Sequence, residues 1–172
     1  MEFKLRPWRM DDADSLVKHA NNFNIARFLT NGFPHPYTQE DAYNFLSVVS
    51  NTSPTTIMAI EVNDEAVGSI GLTPQTDIHC KNAELGYFIS EDYWGRGIMT
   101  QAIKQMVDYG FSTFGVTRIF ARPFGTNKAS QRVLEKAGFE LEARFKNAIY
   151  KYDEFMDELI YGITPERFEL YR

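Results

Sequence analysis

The sequence is poor in the residues that build metal centres and disulfide frameworks. It contains one cysteine, Cys80, and three histidines among its 172 residues. One thiol cannot form an internal disulfide or a multi-thiolate zinc site. The histidines show no ligand spacing to one another or to Cys80. The sequence therefore predicts no metal site, and a chain of this length, which buries roughly 70% of its unfolded surface, needs no such staple to fold.

Positive charge is also in deficit, and long apolar runs are missing. Lysine and arginine total 18 against 23 aspartates and glutamates, giving a net charge of −5. Proteins that bind nucleic acid usually carry a basic surface, so we expect no nucleic-acid partner. No segment approaches the ~20 apolar residues that span a bilayer, and the opening MEFKLRPW is charged from its second residue. We expect a soluble, cytoplasmic protein without a membrane partner.

The patterns that are present alternate between strands and helices, without linker or repeat. Apolar and alternating runs predict seven strands, at residues 3–8, 57–62, 66–72, 83–90, 116–122, 139–145 and 155–163. Helical patterns start at Asp11 and Thr38, follow Gly97, and cover 127–137, with a short helical piece at 22–29. Hairpins stand beside strand–helix–strand units, which predicts an α+β fold with a mixed sheet covered by helices, in one domain over residues 1–172.

A glycine-bearing turn, Trp94-Gly-Arg-Gly-Ile-Met99, joins a predicted strand to a predicted helix. Gly95 and Gly97 let the backbone curl and approach a ligand closely. The first amides of the following helix have no internal partners and bind anions, and Arg96 adds a positive charge. No Lys-Ser/Thr pair follows, and Thr100 replaces a third glycine, so neither nucleotide pattern fits. A pyrophosphate-binding turn and a ligand-free turn are both compatible with this segment alone.

A second segment, Asn127-Lys-Ala-Ser-Gln-Arg-Val with Gly138-Phe139, narrows these alternatives. Together the two segments resemble the Q/R-x-x-G-x-G/A loop and the N-x-x-S…K-x-G-F helix of the GNAT superfamily of acyl-CoA-dependent N-acetyltransferases. Their form, and the opening Leu5-Arg-Pro-Trp8, are similar to the ribosomal-protein N-acetyltransferase-like branch. The resemblance covers nearly the whole chain. It implies a GNAT-like domain with a mostly antiparallel sheet of about six or seven strands, splayed where acyl-CoA binds.

Two positions depart from the family pattern. Trp94 replaces the usual Gln or Arg, and Met99 stands where Gly or Ala is typical. The Met99 side chain must point away from the phosphates, so we expect it in the core between helix and sheet. The resemblance is silent on the oligomeric state, although homodimers are frequent among similar proteins.

The resemblance implies acetyl-CoA as co-substrate and assigns residues to it. The pyrophosphate would be bound by the loop residues Arg96, Gly97, Ile98, Met99 and Thr100. Phe88 and Ile89 on the preceding strand would pair with pantetheine, and the Ile89 amide would stabilise the oxyanion. Asn127 would bind a pantetheine amide, cap its helix, or do both. Arg132 would meet the 3′-phosphate or lie with Lys128 and Lys136 on a solvated helix face.

The implied reaction is direct attack of a primary amine on the acetyl thioester. An alkylamine has a pKa near ~10 and must lose a proton before it attacks. Glu84 is the candidate base by family position, and the alternatives are water or a merely structural carboxylate. Ser130 is the candidate proton donor to the departing thiolate, and the alternative is a small residue that faces the cofactor or another helix.

Aromatic residues mark two segments that could line the acceptor. One is the loop Asn31–Tyr37, with Phe33 and Tyr37, and the other is the late hairpin with Tyr150. Such walls suit a protein or peptide N-terminus, a polyamine or an amino sugar, but aromatics that plug the sheet ends would show the same pattern. The alternative function is a non-catalytic acyl-CoA-binding sensor or partner module, which would need the loop but neither Ser130 nor a base.

Overall fold

Seven strands form one mixed sheet in the computed structural model, which describes every residue from Met1 to Arg172. The strands are β1 (Lys4–Pro7), β2 (Ile57–Val62), β3 (Glu65–Pro74), β4 (Asn82–Ile89), β5 (Arg118–Ala121), β6 (Glu140–Lys151) and β7 (Glu154–Ile163). Their order is β1-β2-β3-β4-β5-β7-β6. Strand β4 pairs with β5 in parallel, whereas the β1–β2, β2–β3, β5–β7 and β6–β7 pairs are antiparallel. The expected α+β fold with a mostly antiparallel sheet is confirmed.

Six helices accompany the strands. They are α1 (Ala13–Ala20), α2 (Phe23–Ala26), α3 (Gln39–Val49), α4 (Ile98–Phe114), α5 (Lys128–Lys136) and α6 (Pro165–Phe168). The predicted cap of α3 is formed, because Thr38 and Asp41 exchange side-chain and backbone hydrogen bonds. The helix expected from Asp11 begins instead with a 3₁₀ turn over Met10–Asp12. No helix is both long and apolar enough to cross a membrane.

The chain clusters into two compact units. The first comprises Met1–Leu72 and Gly86–Ala102, and the second comprises Thr73–Leu85 and Ile103–Arg172. The core of the first unit is a cluster of buried side chains: Trp8, Ala13, Leu16, Ala20, Tyr37, Ala42, Leu46, Val49, Ala59 and Ala66. Phe33 and Phe88 pack against this cluster from its edge. One domain over residues 1–172 stays a prediction.

A buried ion network lies in the first unit. The Arg6 guanidinium binds Asp12 through two bonds of 2.7 Å and also contacts Glu61 through Nε. All three side chains are less than a tenth exposed, and Lys4 approaches the second oxygen of Glu61 at 2.6 Å. These partners raise the pKa of Arg6, while hydrogen bonds from Lys4 and Arg6 lower the pKa of Glu61. The network balances two cations against two carboxylates.

The second unit ends in a long hairpin at the edge of the sheet. Strand β6 pairs with β7 but changes register between Leu141 and Ala143 and again between Phe145 and Ile149. The strand therefore continues to Lys151, beyond the 139–145 predicted from the sequence. The second irregularity explains the short prediction, because inserted residues break the alternation that marks a strand.

Candidate active site

The glycine-bearing loop has the backbone conformation that its sequence requires. Gly95 and Gly97 adopt φ of +71° and +78°, which side-chain-bearing residues rarely adopt. No atom lies within 4 Å of the position that a Cβ would take at either glycine. These glycines therefore serve the curl of the chain, and the space around them is open. Helix α4 begins directly after them, so its first amides follow an exposed loop.

The residues that follow the loop anchor it. Ile98 is 2% exposed and Met99 is 8% exposed. The inward orientation expected for the Met99 side chain is confirmed. Because both side chains are buried, neither stands between a phosphate group and the backbone amides at the start of α4.

Arg96 lies on the exposed side of the loop. Its guanidinium stacks over the ring of Tyr93 at 5.5 Å from the ring centroid. This contact keeps a positive charge at the start of α4, and one guanidinium nitrogen of Arg96 also lies 3.9 Å from the Sδ atom of Met1. A local cation of this kind is what an acidic protein needs in order to bind a phosphate-rich ligand.

Trp94 ties the loop to the end of β4. Its indole Nε1 donates a hydrogen bond to the carbonyl oxygen of Ile89 at 2.9 Å. The segment between them is a 3₁₀ turn over Glu91–Tyr93. In the sequence alone, Trp94 stands out only as a departure from the family pattern. Its role as a tie depends on the folded turn, which brings the ring back over the strand, so the sequence held no direct signal for it.

The Ile89 amide points away from β3. The next amide, that of Ser90, donates to the carbonyl of Val67 in β3 at 2.8 Å. Because successive amides along a strand point to opposite edges, the N–H of Ile89 faces the other edge of β4. The parallel pairing of β4 with β5 covers only Asn82–Glu84, well before this point. The Ile89 amide therefore faces the edge of β4 that β5 leaves unpaired here, and its role in stabilising an oxyanion stays a prediction.

Phe33 joins the predicted acceptor loop to β4. Its ring centroid lies 5.3 Å from that of Phe88, at a near-perpendicular angle, and 5.1 Å from that of Tyr37. Tyr37 is 5% exposed, and burial raises its pKa to about 12, so it is a neutral phenol. Tyr37 therefore supports Phe33 from the core, and Phe33 and Phe88 form the accessible part of this aromatic wall.

In the second unit, Asn127 caps α5. Its Oδ1 accepts a hydrogen bond from the backbone amide of Ser130 at 3.2 Å, so the capping alternative holds for Asn127. The Ser130 side chain is half-buried in the first turn of the helix. Arg132 is exposed and lies 3.4 Å from Glu135, on the solvated face that it shares with Lys128 and Lys136. Contacts of Asn127, Ser130 and Arg132 with a cofactor stay predictions.

Glu84 lies half-buried on β4, opposite Phe120 of β5 in the parallel register. Arg122 follows β5, and a hydrogen bond to Glu158 raises its pKa, with a smaller electrostatic contribution from Glu84. The Glu84 carboxylate therefore interacts electrostatically with the Arg122 guanidinium. Its role as a base stays a prediction.

Tyr150 lies near the exposed tip of the β6–β7 hairpin. Its hydroxyl donates to Asp153 at 3.0 Å, and its ring packs 4.9 Å from that of Phe155. The local structure therefore explains the aromatic and acidic residues of this hairpin as partners of one another. Its part in acceptor binding stays a prediction. No group of three His, Cys, Asp or Glu side chains is placed to hold a metal ion.

The sequence profile of the acetyltransferase (GNAT) domain matches residues 2–140 of the chain. The match includes both the glycine-bearing loop and the helix that begins after Asn127. The chain belongs to the GNAT acetyltransferase family, which confirms the resemblance that the two motifs predicted.

Individual relatives and a solved structure agree with this assignment. YoaA of Bacillus subtilis, an uncharacterized N-acetyltransferase, is 36% identical over 103 residues, which are 60% of this chain and 58% of YoaA, less than two thirds of that relative. Spermidine N(1)-acetyltransferase of Escherichia coli K12 is 25% identical over 151 residues, 86% of this chain and 77% of that protein. RimJ of Mycobacterium smegmatis, solved in complex with CoA-disulfide, superposes with a TM-score of 0.83 at 25% identity, covering 99% of this chain and 84% of that chain.

Replacing Trp94 with phenylalanine tests its tie to the strand. The variant keeps an aromatic ring but loses the N–H that binds the Ile89 carbonyl. We expect the KM for acetyl-CoA, which is proposed below as the co-substrate, to rise about 3- to 10-fold, which corresponds to the loss of one ordinary hydrogen bond. The KM for the amine should stay unchanged. Steady-state kinetics with each substrate varied in turn will check this, and an equal rise in both constants would contradict the assigned role.

Proposed function

We propose that this chain transfers the acetyl group of acetyl-CoA to a primary amine by direct attack. The observation that carries the proposal is the exposed loop at Gly95–Gly97, curled in the left-handed region ahead of α4 and tied by Trp94 to the strand end whose Ile89 amide points away from β3. Backbone amides with this arrangement suit a pyrophosphate and an oxyanion. Membership of the GNAT family supports the same ligand.

In the proposed reaction the chain accepts a proton from the amine, stabilises the negative charge on the carbonyl oxygen and protonates the leaving sulfur. The amine nitrogen forms a bond to the carbonyl carbon, the bond from that carbon to sulfur breaks, and the thiolate leaves as a thiol. Glu84, directly or through water, takes the proton that the amine loses. The Ile89 amide stabilises the negative charge on the carbonyl oxygen. Ser130 donates its hydroxyl proton to the departing sulfur, whose thiol has a pKa near ~8.5 and is therefore a tolerable leaving group. Ser130 then regains a proton from solvent, and Glu84 releases the proton of the amine to solvent, so that one proton moves from the amine to the thiol overall.

The proposed acceptor is a primary amine that binds beside the aromatic wall of Phe33 and Phe88. A protonated amine is attracted to aromatic faces, and an alkyl stem buries apolar surface against them. The similarity to a spermidine N(1)-acetyltransferase over 86% of the chain supports an amine acceptor of this kind. Protein or peptide N-termini and small-molecule amines are the candidates.

A panel of three amines tests the proposal. Spermidine, glucosamine and a short peptide with an N-terminal alanine are each mixed with acetyl-CoA and the protein, and thiol release is followed. At least one amine should release thiol and yield its acetylated product. Ser130→Ala should then lower kcat by about 100-fold, the usual scale for losing a proton-transfer group. The matched control is Ser112→Ala, because the Ser112 hydroxyl bonds only carbonyls within α4.

Two outcomes would contradict the proposal in different ways. If CoA fails to raise the Tm of the protein, the loop is not a CoA site. If CoA binds, but no amine releases thiol and Ser130→Ala changes nothing measured, the chain is a binding module rather than an enzyme.

A further inference from the structure

Gly86 stands in the middle of β4 with no structural reason to be glycine. It is exposed, its φ lies outside the left-handed region, and no atom lies within 4 Å of the position that its Cβ would take. Glycine inside a strand weakens the strand, because it costs backbone entropy and packs no side chain. Any small residue would fit here and would stabilise the sheet.

Two other strand glycines show what a structural reason looks like. At Gly68 a Cβ would lie 2.6 Å from the carbonyl oxygen of Phe88, and at Gly71 it would lie 2.7 Å from the Cγ1 atom of Ile57. Both contacts are shorter than real Cβ atoms show, so packing demands glycine at these two positions. Gly86 lacks any such contact within the protein, so packing does not account for its small size.

One residue of the aromatic wall, Phe88, lies on the same face of β4 as Gly86. Side chains two residues apart on a strand share one face, so Phe88 projects from the same face of β4 as the missing side chain of Gly86. Phe88 is held in place by Phe33, which rests on the buried ring of Tyr37. The result is a notch, defined here as the empty side-chain position of Gly86, on the face of β4 that also carries Phe88.

The chemistry of the notch suits the acceptor rather than the cofactor. The contacts assigned to acetyl-CoA on this strand come from the backbone at the strand edge, through the Ile89 amide. The notch instead lies on the side-chain face of β4 that also carries Phe88, and an aromatic ring attracts a cationic amine and buries the carbon next to its nitrogen.

We propose that Gly86 determines acceptor specificity, because its empty side-chain position receives the carbon that bears the reacting primary amine. This inference rests on the proposed acetyl transfer, and it identifies Gly86 as the residue that limits how wide the acceptor can be next to its reacting nitrogen. A residue with a side chain narrows the notch and disfavours amines whose nitrogen-bearing carbon is branched, such as a peptide N-terminus or glucosamine, more than unbranched spermidine.

Gly86→Ala and Gly86→Val in the full-length protein test the proposal. For Gly86→Ala we expect kcat/KM for the peptide or glucosamine to fall about 10-fold, the effect of one methyl-sized misfit in a pocket. The loss should be larger for Gly86→Val and smaller with spermidine. The KM for acetyl-CoA should not change. The Tm of Gly86→Ala should rise by about 1–3 °C, because alanine restricts the unfolded chain.

Gly71→Ala is the matched control. It makes the same exchange in a neighbouring strand, but its Cβ collides with Ile57, so its Tm should fall while its acceptor preference is kept. A lower Tm in Gly86→Ala, an unchanged acceptor preference in both Gly86 variants, or an equal loss of affinity for acetyl-CoA would each overturn the proposal. If the wild-type protein turns over no amine at all, the proposed acetyl transfer fails and this inference fails with it. If the wild type acetylates an amine and both Gly86 variants keep its acceptor preference, the inference about Gly86 is overturned and the proposed acetyl transfer stands.

Discussion

Replacing Gly97 with glutamate is expected to weaken CoA binding by at least about 100-fold, since like charges brought together at a binding surface cost several kcal/mol. The new carboxylate would stand in the open space beside the loop, where the pyrophosphate is proposed to bind. The residue would also have to hold a φ of +78°, which side-chain-bearing residues rarely adopt. Titration calorimetry with CoA measures the effect directly.

Alanine exchanges separate the charge from the strain. Gly97→Ala and Gly115→Ala both place a Cβ in open space at a left-handed residue, with φ of +78° and +61°. Both should lower the free energy of unfolding by about 1–2 kcal/mol. Only Gly97→Ala should also weaken CoA binding, because Gly115 follows the far end of α4. Equal CoA affinity in Gly97→Glu and the wild type would remove the loop from the site.

The second large effect is expected in the buried ion network of the first unit. Arg6→Met should lower the free energy of unfolding by about 3–5 kcal/mol, because it leaves buried carboxylates without their cation. Asp12 loses both of its 2.7 Å bonds, and Glu61 keeps only Lys4, whose side chain is 60% exposed. Urea unfolding of the two proteins at neutral pH measures the difference.

The deficit of Arg6→Met should depend on pH in a definite direction. The pKa of Glu61 is lowered from its usual 4.5 by its bonds to Lys4 and Arg6, so this stabilisation is present above about pH 4.5 and is lost as the pH falls through the lowered value. The gap between wild type and variant should therefore narrow in acid. Arg172→Met, which removes exposed pairs with Asp108 and Glu169, should cost less than about 1 kcal/mol at any pH. A similar loss in both variants would contradict the network's role.

The strands and helices could be predicted from the sequence where a pattern of neighbouring residues determines the local structure. The cap at Thr38, the hairpin of β2 and β3, and the helix after Gly97 all follow from residues that are neighbours in the chain. The extent of β6 could not be predicted, because its register shifts arise from pairing with β7. The Arg6 network joins residues 55 positions apart, so no local pattern announces it.

The parts of the candidate site that depend on local backbone conformation could be predicted from the sequence. The two glycines before a helical pattern predicted a loop with left-handed residues, and the apolar character of Met99 predicted that its side chain is buried. The tie from Trp94 to Ile89 and the support of Phe33 by Tyr37 depend on tertiary contacts. Gly86 did carry a signal, a glycine within a strand pattern, but only the folded structure shows that the space beside it is empty.

The irregular course of β6 has a consequence for how the protein behaves when concentrated. An edge strand of twelve residues with exposed Leu141 and Phe145 would ordinarily recruit strands from other molecules. Both of its register shifts interrupt the row of backbone donors and acceptors that a docking strand would need. Charged neighbours such as Arg144 and Lys146 add repulsion between identical edges. We therefore expect the two register shifts to disfavour fibrillar self-association, and a variant with a straight β6 to associate more readily.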